Sequence, residues 1–353
     1  MAVRAYVGCR STAARQARGR GIAVYRMPAQ GPWVLEQVLE TPDNPSFLLL
    51  RPAGRVLYTV HGDGAQVSAC AVDPASGALT LRGSWPCGGR NPVHLALSPQ
   101  GRWLVIANYA TGNVTSLPVD AEGMLGAVAS SLAFPGNPGP LREHQTGSHP
   151  HQAVFDPSGR WLLVPDKGLD RVFTLVLDEK TGQLSLAAQA LFPPGSGPRH
   201  LVFHPDRLRL FVAGELDCSV HACRFDPRTG VLLTEQSLPT VPPDASAGSS
   251  AAGIVLSQDG RRLYVSNRGH GSVAHFACAT GVGLHPEGWS SSGGRTPRFI
   301  TLAPGGATVV ALNEDTDSIV ALGSAQVRAP QAPYILAFTG SPVCAVFTEG
   351  STP

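Results

Sequence analysis

Five side chains stand out for the chemistry they can do together: His149, His151, Arg199, Glu215 and Arg268. An arginine presents a planar fork of donors that matches a carboxylate or phosphate. Two of them, Arg199 and Arg268, point to a substrate with at least one acidic group. A histidine and a carboxylate supply acid and base. His200, Asn267 and Arg298 lie beside them in equivalent stretches, as do Asp217, Asn313 and Glu314. The set describes a site for an anionic substrate whose reaction moves a proton. No serine sits in a G-x-S-x-G turn, so a serine nucleophile is unsupported. His149 and His151 are two residues apart, which on a strand points both to one face. Such a pair with Glu215 as third ligand is also a metal-binding pattern. No other acidic cluster accompanies it, and neither metal nor cofactor is expected.

These residues are far apart in the chain, so a repeating scaffold must gather them. The stretch from His149 to Asp166 supplies its unit. A strand leads to the turn Asp156-Pro157-Ser158-Gly159, and the apolar run Trp161-Leu162-Leu163-Val164 follows. Proline pre-sets φ in such a turn and glycine accepts positive φ. Copies begin at Asn44-Pro45, Asn91-Pro92, Pro198-Arg199, Ala252-Gly253 and Pro297-Arg298. The spacing is about 50 residues, in the range of propeller blades. A polar tip and a third strand follow each copy. A fourth strand often follows an Asp-x-x-Thr/Ser-Gly turn, as at Asp73, Asp178 and Asp226. Residues 5–39 and 342–347 supply the strands of one more, composite blade. The expected fold is all-β: a seven-bladed β-propeller of four-stranded antiparallel blades, closed by N- and C-terminal strands and forming one domain over 1–353. In a propeller, residues before each first strand and just after each second strand meet at one channel mouth. The proline- and glycine-rich segment 134–148 is expected to be a lid or a disordered loop. Segment 240–251, rich in Pro, Ala, Ser and Gly, reads as another loop. Trp103 and Trp161 fill equivalent core positions.

Composition narrows the function. Only 15% of residues are charged and the net charge is +2, which argues against capture of nucleic acid or membrane. No apolar run reaches signal-peptide or membrane-span length. The seven cysteines show no CxxC pair, and a cytoplasmic protein with reduced thiols is expected. The partner is then a small anionic molecule; oligomeric state is not legible.

The chain resembles the seven-bladed propeller lactonases, the group of cycloisomerase-2-type 6-phosphogluconolactonases and the carboxy-muconate lactonizing enzyme. The likeness runs over about residues 5–347. It is carried by Tyr6-Val7-Gly8, Asn91-Pro92-Val93-His94, Ala107-Asn108-Tyr109, Ser148-His149-Pro150-His151, Val164-Pro165-Asp166-Lys167-Gly168-Leu169-Asp170-Arg171, Gly197-Pro198-Arg199-His200, Glu215-Leu216-Asp217 and Ser266-Asn267-Arg268-Gly269. By that resemblance a catalytic histidine, two arginines and a glutamate fall on the His149/His151 pair, Arg199, Arg268 and Glu215. Gly214 and Cys9 stand where the family usually has asparagine and threonine. Lys167 replaces a residue often apolar in relatives and adds positive charge near the mouth.

The resemblance implies a metal-independent lactonase acting on an anionic sugar lactone, by default 6-phosphogluconolactone. Arg199 and Arg268 would hold anionic groups and polarise the ester carbonyl, with His200, Asn267, Lys167 and Arg298 contacting substrate. Either Glu215 or a His149/His151 imidazole would activate water, and the other would protonate the leaving alkoxide. Two alternatives use the same residues: a cycloisomerase acting on a muconate-like diacid, and a non-catalytic binding platform.

Overall fold

The computed structural model describes residues 3–52, 54–279, 281, 283–324 and 332–348. Seven four-stranded sheets follow one another round a ring. Blades one to six span residues 45–86, 92–133, 154–191, 198–239, 250–291 and 297–338. Neighbouring strands within each are antiparallel. Blade seven takes its first strand, Pro342–Phe347, from the C-terminal end and its other three, Arg4–Cys9, Ile22–Arg26 and Val34–Leu39, from the N-terminal end. This pairing removes the sheet edge an open ring would expose.

The apolar alternation of the strands is spent between blades. Seven buried clusters form, one at each blade–blade contact; Leu163 and Val172 of blade three, for example, pack on Leu210 and Val212 of blade four. A polar latch recurs at several of these contacts. An aromatic residue near the start of a second strand donates to the last turn of the next blade. Tyr6 Oη reaches Gly77 O at 2.9 Å and Tyr58 Oη reaches Gly123 O at 2.8 Å. Trp103 Nε1 reaches Glu179 O at 3.1 Å and Trp161 Nε1 reaches Pro227 O at 2.9 Å. Gly182 and Gly230 have φ of +75° and +73°, and a Cβ on either would run into the tryptophan ring it receives. Trp161 is therefore a buried core residue and Trp103 a half-buried one packed against the core, each with a fixed polar end.

Two features of the repeat build the mouth. First, every innermost strand, or the segment leading into it, carries a one-residue bulge near its start. Pro198 pairs with Gly214 but His200 pairs with Ala213, which leaves Arg199 unopposed. Ser46, Val93, Arg298 and Val343 are the unopposed residues of blades one, two, six and seven. In blades three and five the pairing slips by one residue between Pro150 and Val154 and between Ala251 and Ile254. A bulge re-aims its side chain, and these side chains line the channel. Second, the residue after the second strand is tied back by its backbone to the residue before that proline. Lys167 N reaches His149 O at 3.0 Å, Glu215 N reaches Gly197 O at 2.9 Å, and Glu314 N reaches Thr296 O at 3.0 Å. Arg10, Gly62 and Tyr109 make the same bond to Ser341, Asn44 and Asn91.

Segment 134–148, expected to be a lid or a disordered loop, is ordered and pinned. Gln145 is buried and its Nε2 donates to Lys167 O at 3.0 Å and Asp170 Oδ1 at 2.8 Å, while Gly139 N donates to Gly168 O. Segment 240–251 holds the short 3-10 turn Pro243–Ala245 and the start of the first strand of blade five.

Candidate active site

The two rings of positions divide the mouth by charge. Blades three to seven present His151 and Lys167, then Arg199 and Glu215, then Arg268, then Arg298 and Glu314, then Arg10. Blades one and two present Ser46, Gly62, Val93 and Tyr109, which carry no charge. Arg10, His151, Arg199, His200 and Arg298 line one pocket together with Phe47 and Phe299.

Glu215 is the hub. Its carboxylate is buried and meets Arg199 Nη1 in a direct ion pair, Lys167 Nζ at 3.1 Å and Arg268 Nη2 at 3.2 Å. Burial pushes the carboxyl up, but Arg199, Arg268 and Lys167 outweigh it and hold it well below the usual carboxylate range. Arg199 Nη1 also donates to His151 Nε2 at 2.6 Å. That nitrogen must then carry the lone pair, so Nδ1 carries the proton. Burial and the charge of Arg199 keep the His151 ring neutral, its affinity for a second proton far below that of a free imidazole. His200, buried against the rings of His94 and His151, is held neutral for the same reasons. Among the described residues, Arg199 Nε, Arg268 Nε and His151 Nδ1 are buried without a hydrogen-bond partner, as is His200 Nε2. Buried donors are rarely left so, and the first three belong to the side chains linked to Glu215. The three cations around Glu215 also oppose a metal ion at this position.

The structure gathers His151, Arg199, Glu215, Arg268 and Lys167 as the sequence predicted, with His200 beside them. Arg298 lines the same pocket and stands 3.7 Å from Glu314. Two expectations need correction. His149 and His151 do not share a strand face, because the first strand of blade three begins only at Val154. The Asp166 carboxylate accepts His149 N at 2.8 Å and Ser148 Oγ at 2.5 Å and shapes the segment irregularly. His149 turns away: its Nδ1 meets Tyr109 O at 2.9 Å, its Nε2 meets Thr146 Oγ1 at 3.0 Å, and its ring stacks on Tyr109. Asn267 is fully occupied as well. Its amide exchanges two 2.7 Å bonds with Thr240 and reaches Ser272 Oγ at 3.3 Å. Asn108 and Asn313 hold the matching partners Cys87 with Thr115 and Ser292 with Ser318. Asn267 is thus a repeat fastener between blades. Sequence reasoning missed Arg10 and Tyr109; both occupy the Glu215 position of their own blades, which was the available signal.

The family model described as "Lactonase, 7-bladed beta-propeller" matches residues 4–327. The chain belongs to the seven-bladed β-propeller lactonases. It is 33% identical over 280 residues to a 6-phosphogluconolactonase of Bacillus subtilis, covering 78% of this chain and 79% of that protein. A 6-phosphogluconolactonase of Formosa agariphila is 29% identical over 316 residues, 86% and 88% of the two chains. The solved periplasmic gluconolactonase of Pseudomonas aeruginosa superposes with a TM-score of 0.88 at 29% identity, covering 98% and 99%. These similar proteins are thus named for both a phosphorylated and an unphosphorylated sugar lactone.

Proposed function

We propose that this protein hydrolyses an anionic sugar lactone, by default 6-phosphogluconolactone, to the open-chain acid. The observation that carries the reading is one ionised carboxylate, Glu215, clasped by three cations and edged by unpartnered N–H donors. In the reaction, a water held by Glu215 attacks the ester carbon and its proton passes to the carboxylate. The carbonyl oxygen becomes an oxyanion, and the free Nε–H groups of Arg199 and Arg268 are the donors suited to it. Collapse breaks the ring C–O bond. The alkoxide takes the proton back from Glu215 while His151 Nδ1–H donates a hydrogen bond to the same oxygen. An anionic substrate neutralises part of the surrounding positive charge, which raises the proton affinity of Glu215 and suits it to general base work. Lys167 orients the carboxylate, and His149 holds the segment that carries His151.

The seven cysteines are free thiols and six are buried, which fits a reducing compartment; we place the enzyme in the cytoplasm. Among the described residues, no helix is long and apolar enough to cross a membrane. The test couples hydrolysis of freshly generated 6-phosphogluconolactone to 6-phosphogluconate dehydrogenase, with and without chelator, against the spontaneous rate. Chelator-resistant acceleration that is lost in Arg268→Ala supports the proposal. No acceleration over the spontaneous rate rejects it.

A further inference from the structure

The mouth holds more positive charge than its own carboxylates use. Arg10, Lys167, Arg199, Arg268 and Arg298 face Glu215 and Glu314, which leaves three cations over. Two of the three surround Glu215, and the third lies at the junction of blades six and seven, where the carboxylate is the less tightly held. There Glu314 touches Arg10 Nε at 3.1 Å and Arg298 Nη1 at 3.7 Å, the second beyond hydrogen-bond length. Arg10 Nε is buried, and its contact with Glu314 lacks hydrogen-bond geometry. The Arg10 side chain is only 4% exposed, and its other carboxylate, Asp63 at 3.4 Å, is shared with Arg15 at the rim. Burial first and the like charge of Arg298 second pull the Arg10 guanidinium down from its ordinary value. Two guanidiniums thus share one carboxylate, which stands on the turn Glu314–Thr316. They line the same pocket as Arg199 and His151.

We propose that Arg10 and Arg298 form the subsite for the anionic group that the lactone carries away from its ester, and that Glu314 stands in for that group in the empty enzyme. The proposal rests on the lactonase reading and adds the basis of its selectivity. A phosphate would bridge the two forks and draw Glu314 off them. A neutral sugar lactone would leave the surplus charge uncompensated. The pair therefore sets the preference between phosphorylated and unphosphorylated lactones.

The experiment compares 6-phosphogluconolactone with glucono-1,5-lactone in the wild type, Arg298→Ala, Arg298→Lys, Arg10→Met and Glu314→Gln. Calorimetric titration with 6-phosphogluconate and with gluconate runs alongside. Loss of one charged, bidentate contact corresponds to about tenfold or more in affinity. The expected result is a drop of about that size in the ratio of kcat/KM for the phosphorylated over the neutral lactone in Arg298→Ala, carried by KM. Partial recovery in Arg298→Lys and tighter 6-phosphogluconate binding in Glu314→Gln complete the pattern. A parallel fall for both substrates, or an unchanged ratio in both Arg298→Ala and Arg10→Met, overturns the subsite. If the wild type hydrolyses neither lactone yet binds 6-phosphogluconate in an Arg298-dependent way, the lactonase reading fails and the subsite stands. Binding of neither acid by the wild type overturns the subsite.

Discussion

Glu215 and Glu314 occupy the same position in blades four and six, one residue past the second strand and tied back by the same backbone bond. The scaffold treats them alike, and their neighbours do not. Glu215 is packed among three cations that arrive from blades three, four and five, and each lies within 3.2 Å of it. Glu314 meets two, one of them at 3.7 Å, and its side chain is 15% exposed. A carboxylate caged in low dielectric keeps its charge and position, as a reacting group must. A carboxylate held loosely over two repelling guanidiniums can be exchanged for another anion. The repeat thus supplies two equivalent perches, and they differ in the cations around them: the bulge arginine of the same blade and the residues at the Glu215 position of the adjoining blades.

The largest effect should come from the caged side. Arg199 touches Glu215, His151 and the pocket, so Arg199→Ala should lower kcat by about 10³-fold, in line with removal of an oxyanion donor together with an orienting group. Arg268→Ala should cost about 10²-fold, measured in the same coupled assay. If Arg298→Ala instead lowers kcat more than either, the contrast between the two carboxylates is inverted.

Acid should act through the buried histidines, among them three beside the caged side and His61 and His221 elsewhere in the ring. His94, His151 and His200 are buried neutral, with His94 pulled down to about 3 by burial. In the unfolded chain they take up protons near pH 6.5, and in the folded protein they do not. Their contribution is therefore complete above pH 6.5 and is lost as pH falls below it toward the folded values. For His94 alone the loss by pH 5 is on the order of 2 kcal/mol. Melting temperature followed from pH 7 to 4.5 should fall accordingly, and less steeply in His94→Phe. A flat profile removes the buried-neutral assignment.

The smallest effect concerns the fasteners. Asn267→Ala and Asn108→Ala should each lower stability by about 1–3 kcal/mol, because each leaves buried partners unpaired. Chemical denaturation should show the two losses alike. If Asn267→Ala instead raises KM at unchanged stability, Asn267 belongs with the substrate-binding groups after all.

The legible part of the molecule was what repeats. Asp-x-x-Thr/Ser-Gly turns, apolar second strands and the split closing blade were all readable, because each is written as local turn chemistry or period-2 burial. Arg199, Glu215 and Arg268 were readable for the same reason: aligning the copies puts them at two repeat positions, whereas Lys167 was noted only through the family resemblance. What failed was local shape inside one copy. The segment His149–Ala153 looks like a strand, but its entry is held by the Asp166 carboxylate, seventeen residues on from His149, which accepts from Ser148 Oγ and His149 N, and the strand begins only at Val154. Asn267 was misread because its chemistry suits a ligand, although Asn108 and Asn313 recur at its repeat position. Arg10 escaped notice because its blade is assembled from both ends of the chain. The order of segment 134–148 depends on Gln145 reaching Asp170, a contact that composition does not reveal.

The most direct test of the account is single-turnover hydrolysis of 6-phosphogluconolactone by Glu215→Gln, paired with calorimetric binding of 6-phosphogluconate. The account expects a fall of about 10²- to 10⁴-fold in the rate, with binding still dependent on Arg298. Near-wild-type turnover in Glu215→Gln would contradict it.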